Sequence, residues 1–357
     1  MAASSARTPH RLRVDSVDRL CDDAVAVTFA VPAGLAGLYA FRPGQSLTLR
    51  RLVDGRDERR SYSICAPADR ALRVGVREVP DGLFSSWLVR DVRPGDEIEV
   101  LPPSGSFTAE LEPGAHHVLI AAGSGITPVL SVAASALSVP GSRVTVLYGN
   151  RSSETVMFAD ELADLKDAHP DRLHLVHVLS REPREADLLT GRLDAAKLRA
   201  LLPALVPVGD VDHWWLCGPH GMVTGAMEVL AEMDVPGERV HRELFYVEDV
   251  PPPPRVRPAD EPAGPVTQVT VVLDGRTTSL DLPEGATVLE GAQRVRPDMP
   301  FACKGGVCGT CRAKVTGGEV TMRRNYALDA AELAAGFVLT CQSEPAGDAP
   351  VTVDFDA

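Results

Sequence analysis

Cys303-Lys-Gly-Gly-Val-Cys308-Gly-Thr-Cys311 is the most informative stretch of this 357-residue chain, and Leu339-Thr-Cys341-Gln342 completes it. The spacing is C-x4-C-x2-C, with 29 residues between the third and the fourth cysteine. Four thiolates so arranged suit a plant-type [2Fe–2S] cluster. Three ligands on one short loop must curl round the metal. Gly305, Gly306 and Gly309 allow positive φ and close approach, so that backbone N–H groups can face the sulfurs. Structural zinc prefers paired C-x2-C units, and one such pair is present. Buried free thiols are the other alternative; a cytosolic disulfide is disfavoured. The expected iron ligands are Cys303, Cys308, Cys311 and Cys341. Cys21 and Cys65 stand alone and read as small buried hydrophobes.

A cluster of this kind carries one electron and needs a donor. Arg60-Ser-Tyr62-Ser63 ends a predicted strand and suits a flavin nucleotide. Arg60 can pair with a pyrophosphate, Tyr62 can stack on the ring system, and Ser63 can hydrogen-bond near the flavin N5. A plain surface strand would also carry these four residues. Gly82-Leu-Phe-Ser85-Ser-Trp-Leu88 reads as a glycine turn opening a helix whose first turn faces phosphate. Further on, Leu119-Ile-Ala-Ala-Gly123-Ser-Gly125-Ile-Thr127-Pro128 is a strand, a G-x-G turn and a helix start, another phosphate-facing arrangement. The third glycine and the acidic residue of the usual dinucleotide fingerprint are missing. Ser180-Arg181 follows the third strand of this region, and a hydroxyl with a cation there favours NADPH over NADH. A solvated loop arginine is the alternative. Cys217-Gly218-Pro219 ends the fourth strand, where open α/β sheets place their ligand crevice. Glu243-Leu-Phe245 offers Phe245 as a second aromatic at the flavin, with core packing as the bland option.

Around these motifs the chain divides. Residues 251–265 hold seven of its 29 prolines, four consecutive, and favour extended polyproline II. Residues 1–112 read as antiparallel strands, with alternation at Val25, Val27, Phe29 and Val31 marking a half-buried strand. Residues 113–250 alternate short apolar strands (117–121, 144–148, 173–179, 213–217) with helices expected near Thr127, Glu154, Asp194 and Met222. That implies a parallel sheet with right-handed crossovers. Residues 266–357 form the cluster domain. Residues 118–142 carry no charge, but the glycine turn and Pro128 identify a buried strand and helix rather than a membrane span. No signal segment is visible, and the expected address is the cytoplasm. The net charge of −13 argues against nucleic-acid and anionic-membrane partners.

In order and motif, Arg-x-Tyr-Ser, Gly-x-Gly-Ile-Thr-Pro, Cys-Gly-Pro and the four cysteines resemble the ferredoxin–NADP reductase superfamily with a plant-type ferredoxin fused at the C-terminus. The resemblance implies an antiparallel β-barrel for FAD, an α/β nucleotide domain and an α+β β-grasp ferredoxin domain. It places FAD at Arg60, Tyr62, Ser63, Gly82 and Ser85. It places NADPH (with NADH possible) at Gly123, Gly125, Thr127, Pro128, Cys217 and Gly218, with Arg151, Ser180 and Arg181 toward the 2′-phosphate. Ser63, Cys217 and Phe245 would surround hydride transfer. Within the superfamily, Tyr148-Gly-Asn-Arg151, Gly191-Arg-Leu-Asp194 and Asn325-Tyr-Ala-Leu328 look most like reductases serving phenylacetyl-CoA epoxidase complexes. Reductases of 3-ketosteroid 9α-hydroxylases and of alkane or aromatic oxygenases share the same order. The implied partner is an oxygenase component. A complete oxygenase would need a Glu-x-x-His or 2-His-1-carboxylate set, which the sequence lacks. A structural cluster in a redox sensor is the non-enzymatic rival. If docking is electrostatic, the acidic chain predicts a partner with a basic surface.

Overall fold

The computed structural model describes residues 8–68, 70–80, 82–183, 186–245 and 266–357. They fall into two compact units, Pro9–Phe245 and the C-terminal residues. The proline-rich segment expected at 251–265 lies outside the described residues.

The first unit begins with β1 (His10–Cys21), β2 (Ala24–Ala30), β3 (Ser46–Val53), β4 (Arg56–Ser63), β5 (Leu72–Arg77), α1 (Ser85–Arg90) and β6 (Glu97–Val100). The sheet order is β4-β3-β6-β1-β2-β5, antiparallel throughout. Leu12, Val27, Phe29, Leu47, Leu49 and Val74 fill its core. The alternation in β2 predicts one wet face, but both faces are buried. Val25, Val27 and Phe29 point into the barrel core, whereas Ala24 and Ala26 join the core of the following domain. The small face of the strand is thus a seat for its neighbour. Gly75 on β5 completes that seat: a Cβ there would lie 2.5 Å from Thr127 Cγ2 and 2.9 Å from Phe158 Cζ.

The nucleotide domain comprises β7 (His116–Ala122), α2 (Ile126–Ser138), β8 (Arg143–Asn150), α3 (Ala159–Ala168), β9 (Leu173–Leu179), α4 (Ala195–Leu205), β10 (His213–Cys217), α5 (His220–Glu232) and β11 (Val240–Glu243). All strands are parallel, in the order β11-β10-β7-β8-β9. The uncharged run is β7, the glycine turn and the almost wholly buried α2. Among the described residues no helix is long and apolar enough to cross a membrane. Two expectations need correction. Glu154 lies in a single 3-10 turn, closed by a Ser152–Thr155 capping box, and the helix begins five residues later at Ala159. The buried run Val156, Met157 and Phe158 must first reach the core. The sheet also has a fifth strand, β11; its four residues are too few for a periodicity signal.

The C-terminal unit contains β12 (Val266–Leu273), β13 (Arg276–Pro283), α6 (Val288–Val295), β14 (Arg312–Gly317), β15 (Val320–Met322), α7 (Ala330–Ala334), β16 (Phe337–Leu339), β17 (Ser343–Pro345) and β18 (Val351–Asp354). The sheet β13-β12-β18-β14-β16 is mixed, with β12 and β18 parallel and the other pairs antiparallel. It grasps α6, which a Thr287–Glu290 capping box starts and which buries Val288, Leu289 and Ala292. Gly291 lets the helix sit close on β13, since a Cβ would fall 2.4 Å from Leu282 Cδ1 and the leucine would have to shift. This is the β-grasp arrangement.

Candidate functional site

Three strand ends converge in the first unit. Ser63 ends β4, Cys217 ends β10 and Glu243 ends β11. Parallel pairing sets Cys217 beside Glu243 on one side and beside Ala121 on the other. The Ser63 hydroxyl donates to Glu243 Oε2 at 3.0 Å, joining residues 180 positions apart. Burial pushes the Glu243 carboxyl up to about 7, with the Ser63 hydrogen bond pulling the other way. Burial, and then the charge of Glu243, push the Cys217 thiol well above its usual value. The group therefore offers a neutral thiol, a hydroxyl and a carboxyl that exchanges its proton near neutrality. It holds no activated nucleophile. Ser63 and Cys217 are expected here from the sequence, and Glu243 is the addition. Nothing in its local sequence distinguishes it from a strand-end charge, since its role depends on Ser63. Phe245, two residues on, packs against the nucleotide-domain core.

The other flavin candidates lie on the barrel domain. The Tyr62 ring lies 6.1 Å from Phe84, which meets Trp87 edge-on at 5.5 Å. The Arg60 side chain is 44% exposed beside Glu58, so its fork can reach an anionic ligand. The predicted glycine turn is present, but α1 starts only at Ser85 and spans six residues. The Ser85 hydroxyl accepts from the Val79 N–H at 3.0 Å. Gly82 has no room for a Cβ, which would sit 2.6 Å from Ser85 Oγ. Ser85 and Gly82 thus shape the loop, and the short helix supplies little of the dipole that the glycine turn suggested.

The G-x-G turn follows β7 as a 3-10 turn, with Gly123 at φ +56°. A Cβ on Gly125 would fall 2.0 Å from the Cys217 carbonyl oxygen and 2.9 Å from Gly218 N. Only glycine lets this turn touch the Cys217-Gly218 strand end. Thr127 and Pro128 are buried, and the Thr127 hydroxyl donates to Ser124 O at 3.0 Å, so they brace the turn from inside. Arg77 on β5, which no sequence motif marks, reaches the same turn: its Nη1 lies 3.2 Å from the Cβ position of Gly123. Asp23 Oδ1 accepts from Arg77 Nε at 3.1 Å. Asp23 Oδ2 accepts from Arg151 Nη2 at 3.0 Å. Arg181 N donates to Arg151 O at 2.7 Å, which zips the loops after β8 and β9 together. Ser180 N likewise donates to Asn150 O at 2.9 Å. Arg151 and Arg77 thus share the one Asp23 carboxylate. Arg181 is exposed and makes no ion pair among the described residues.

In the C-terminal unit the cysteines form two thiol pairs, Cys303 with Cys308 and Cys311 with Cys341. The Cys308 thiol and then the backbone N–H groups of Gly305, Val307 and Cys308 pull Cys303 down to about 6. Gly305 N donates to Cys303 Sγ at 3.3 Å, and Gln342 Nε2 lies 3.6 Å from Cys341 Sγ. Gly306 and Gly309 have the expected positive φ, but the third left-handed residue is Lys304 (φ +52°) rather than Gly305. Gln342 Nε2 holds that conformation by donating to Lys304 O at 2.9 Å. Among the described residues no three ligand-type side chains are gathered as for a single ion. Two thiol pairs ringed by N–H donors fit a two-iron cluster instead, each pair suiting one iron.

Comparison with known proteins assigns the domains. The chain matches an oxidoreductase FAD-binding domain over residues 11–109, an oxidoreductase NAD-binding domain over 119–228 and a 2Fe-2S iron-sulfur cluster binding domain over 271–346. It is 42% identical to a component of the 1,2-phenylacetyl-CoA epoxidase of Escherichia coli K12, covering 98% of both chains. It is 35% identical to the ferredoxin reductase component of 3-ketosteroid-9-alpha-monooxygenase of Mycobacterium tuberculosis, over 97% of this chain and 95% of that one. Phthalate dioxygenase reductase shares the fold, with a TM-score of 0.60 at 23% identity over 97% and 98% of the two chains. The chain belongs to the family of NAD(P)H-dependent flavin and iron–sulfur oxidoreductases that includes these oxygenase reductase components.

Proposed function

We propose that the chain is the cytoplasmic electron-transfer reductase of a multicomponent oxygenase, specifically of a phenylacetyl-CoA 1,2-epoxidase. The domain plan is 1–112 for FAD, 113–250 for the nucleotide, 251–265 as linker and 266–357 for the cluster. When bound, FAD would supply a hydride acceptor for NADPH, and the [2Fe–2S] cluster would supply single-electron transfer toward the oxygenase. Ser63 and Glu243 hold and move a proton at the flavin edge, and Phe245 covers that edge. Cys217 and Gly218 leave a flat floor for the nicotinamide, which Gly123 and Gly125 keep narrow. Arg60 and Tyr62 bind the flavin, and Arg77 faces the coenzyme phosphates. Cys303, Cys308, Cys311 and Cys341 hold the irons. The observation that carries the reading is the Ser63–Glu243 bond beside Cys217, because it assembles three remote strand ends into one water-poor proton site.

Arg181, which makes no ion pair among the described residues, supports NADPH over NADH, and Arg151, which shares Asp23 with Arg77, is the second candidate for the 2′-phosphate. The 42% identity to the epoxidase component supports the choice of partner. The test combines the reductase with the purified oxygenase components of a phenylacetyl-CoA epoxidase. NADPH oxidation coupled to loss of phenylacetyl-CoA is expected. Coupling with a 3-ketosteroid hydroxylase component alone would transfer the protein to that class.

A further inference from the structure

Leu72, Val74 and Val76 on β5 face the barrel core, so Arg73, Gly75 and Arg77 share the other face of the strand. One short segment of the nucleotide domain meets all three in reverse order, through Thr155, Phe158 and Glu161. Arg77 Nη2 donates to the Thr155 carbonyl oxygen. A Cβ on Gly75 would lie 2.9 Å from Phe158 Cζ, so the ring rests on bare backbone. Arg73 Nη1 donates to Glu161 Oε1 at 2.9 Å and to Oε2 at 2.8 Å. The Arg73 guanidinium also stands 5.5 Å from the centroid of the Phe158 ring. Asp18 on β1 accepts from Arg73 Nη2 at 3.4 Å and so aims the guanidinium from the barrel side. At the centre of the segment Phe158, the residue before α3, has left-handed backbone with φ +59° and ψ +33°. A bulky side chain rarely adopts that conformation, which persists where surrounding contacts over-determine it. Here the ring is seated against Gly75 and Arg73, and the chain is pinned three residues on at Glu161.

The same face of β5 touches the G-x-G turn. The Cβ position of Gly75 lies 2.5 Å from Thr127 Cγ2, and Arg77 Nη1 lies 3.2 Å from that of Gly123. The turn in turn abuts the Cys217 strand end through Gly125. A slip of the 155–161 segment along β5 would therefore move these parts against the barrel strand that ends at Ser63. Hydride transfer depends steeply on such placement. We propose that Arg73 and Glu161 are positioning residues for hydride transfer: their ion pair locks the segment on β5 and sets how closely the G-x-G turn and the Cys217 strand end approach the barrel. The proposal rests on the reading that hydride passes between ligands held by these two domains. Neither residue belongs to a motif that contacts a cofactor, and a partly exposed ion pair adds little stability, so the role is geometric.

The test uses the full holo-chain and stopped-flow absorbance of flavin reduction by NADPH. Glu161→Gln should lower the limiting rate about tenfold, while NADP+ affinity by calorimetry stays within about twofold and the melting temperature within about 2 °C. Arg73→Met should do the same, and the double variant should be no slower than either single one, because one interaction is lost in all three. Amide exchange within residues 155–161 should quicken about tenfold in each variant. An unchanged limiting rate, a loss of NADP+ affinity as large as the loss of rate, or single effects that multiply in the double variant would overturn the positioning role alone. Should Arg73→Met fail to fold, Glu161→Gln decides, since that side chain is 39% exposed. Flavin in the unaltered chain that neither NADPH nor NADH reduces would overturn the hydride-transfer reading and the proposal with it.

Discussion

The two redox regions are built in opposite ways. The cysteine loop is local: three candidate ligands fall within nine residues, and its shape comes from left-handed backbone at Lys304, Gly306 and Gly309. The proton site of the first unit is assembled from β4, β10 and β11, and exists only when a barrel strand and two sheet strands arrive together. A local site tolerates change elsewhere in its domain, whereas an assembled one depends on every contact that sets the strand ends.

Removing one iron ligand gives the sharpest separation of the two. Cys341→Ser should cut electron delivery to protein acceptors by more than ~100-fold, while stopped-flow flavin reduction by NADPH changes less than about twofold. Comparable loss in both steps would break the idea of independent sites. Gly125→Ala tests the assembled region. Its Cβ overlaps the Cys217 carbonyl, so the turn must move, and hydride transfer should fall by ~10²-fold with the cluster spectrum intact. Arg181→Ala should lower the NADPH-to-NADH preference about tenfold, and Arg151→Ala by less, measured as ratios of kcat/KM.

Acid and alkali should act on the assembled region with opposite signs. Burial holds His117 and His241 down to about 4, with neighbouring His213 adding to the effect. The unfolded chain then binds more protons below the ordinary 6.5, so their contribution is full above that value and is lost as pH falls toward 4. Glu243 is raised from 4.5 to about 7, so the folded state binds the extra proton. Its contribution is full below 4.5 and fades as pH rises through 7. Melting curves of Glu243→Gln should be flatter than those of the parent between about pH 5 and 8. His241→Gln should flatten the limb below about pH 6 by a shift of ~2–4 °C, the smallest effect here.

What is legible in the sequence follows the same division. The cysteines, the G-x-G turn and the Arg-Ser-Tyr-Ser strand end carry their meaning in adjacent residues, and four of the five nucleotide-domain strands show as apolar runs. Glu243, Arg77 and Asp23 are not legible, because each acquires its role from a partner more than fifty residues away. The helix expected at Glu154 fails because apolar Val156 to Phe158 serves the core before any helix begins.

Strand β2 sets where this protein can be divided. Its valines belong to one core and its alanines to another, so the barrel and nucleotide domain own a strand in common. A gene cut near residue 112 would expose Ala24, Ala26 and Gly75 on one fragment and strip the floor from the other. A cut after residue 245 severs no strand pairing among the described residues. Recombination could therefore exchange the cluster domain as a cassette, while the flavin and nucleotide domains are inherited as one piece.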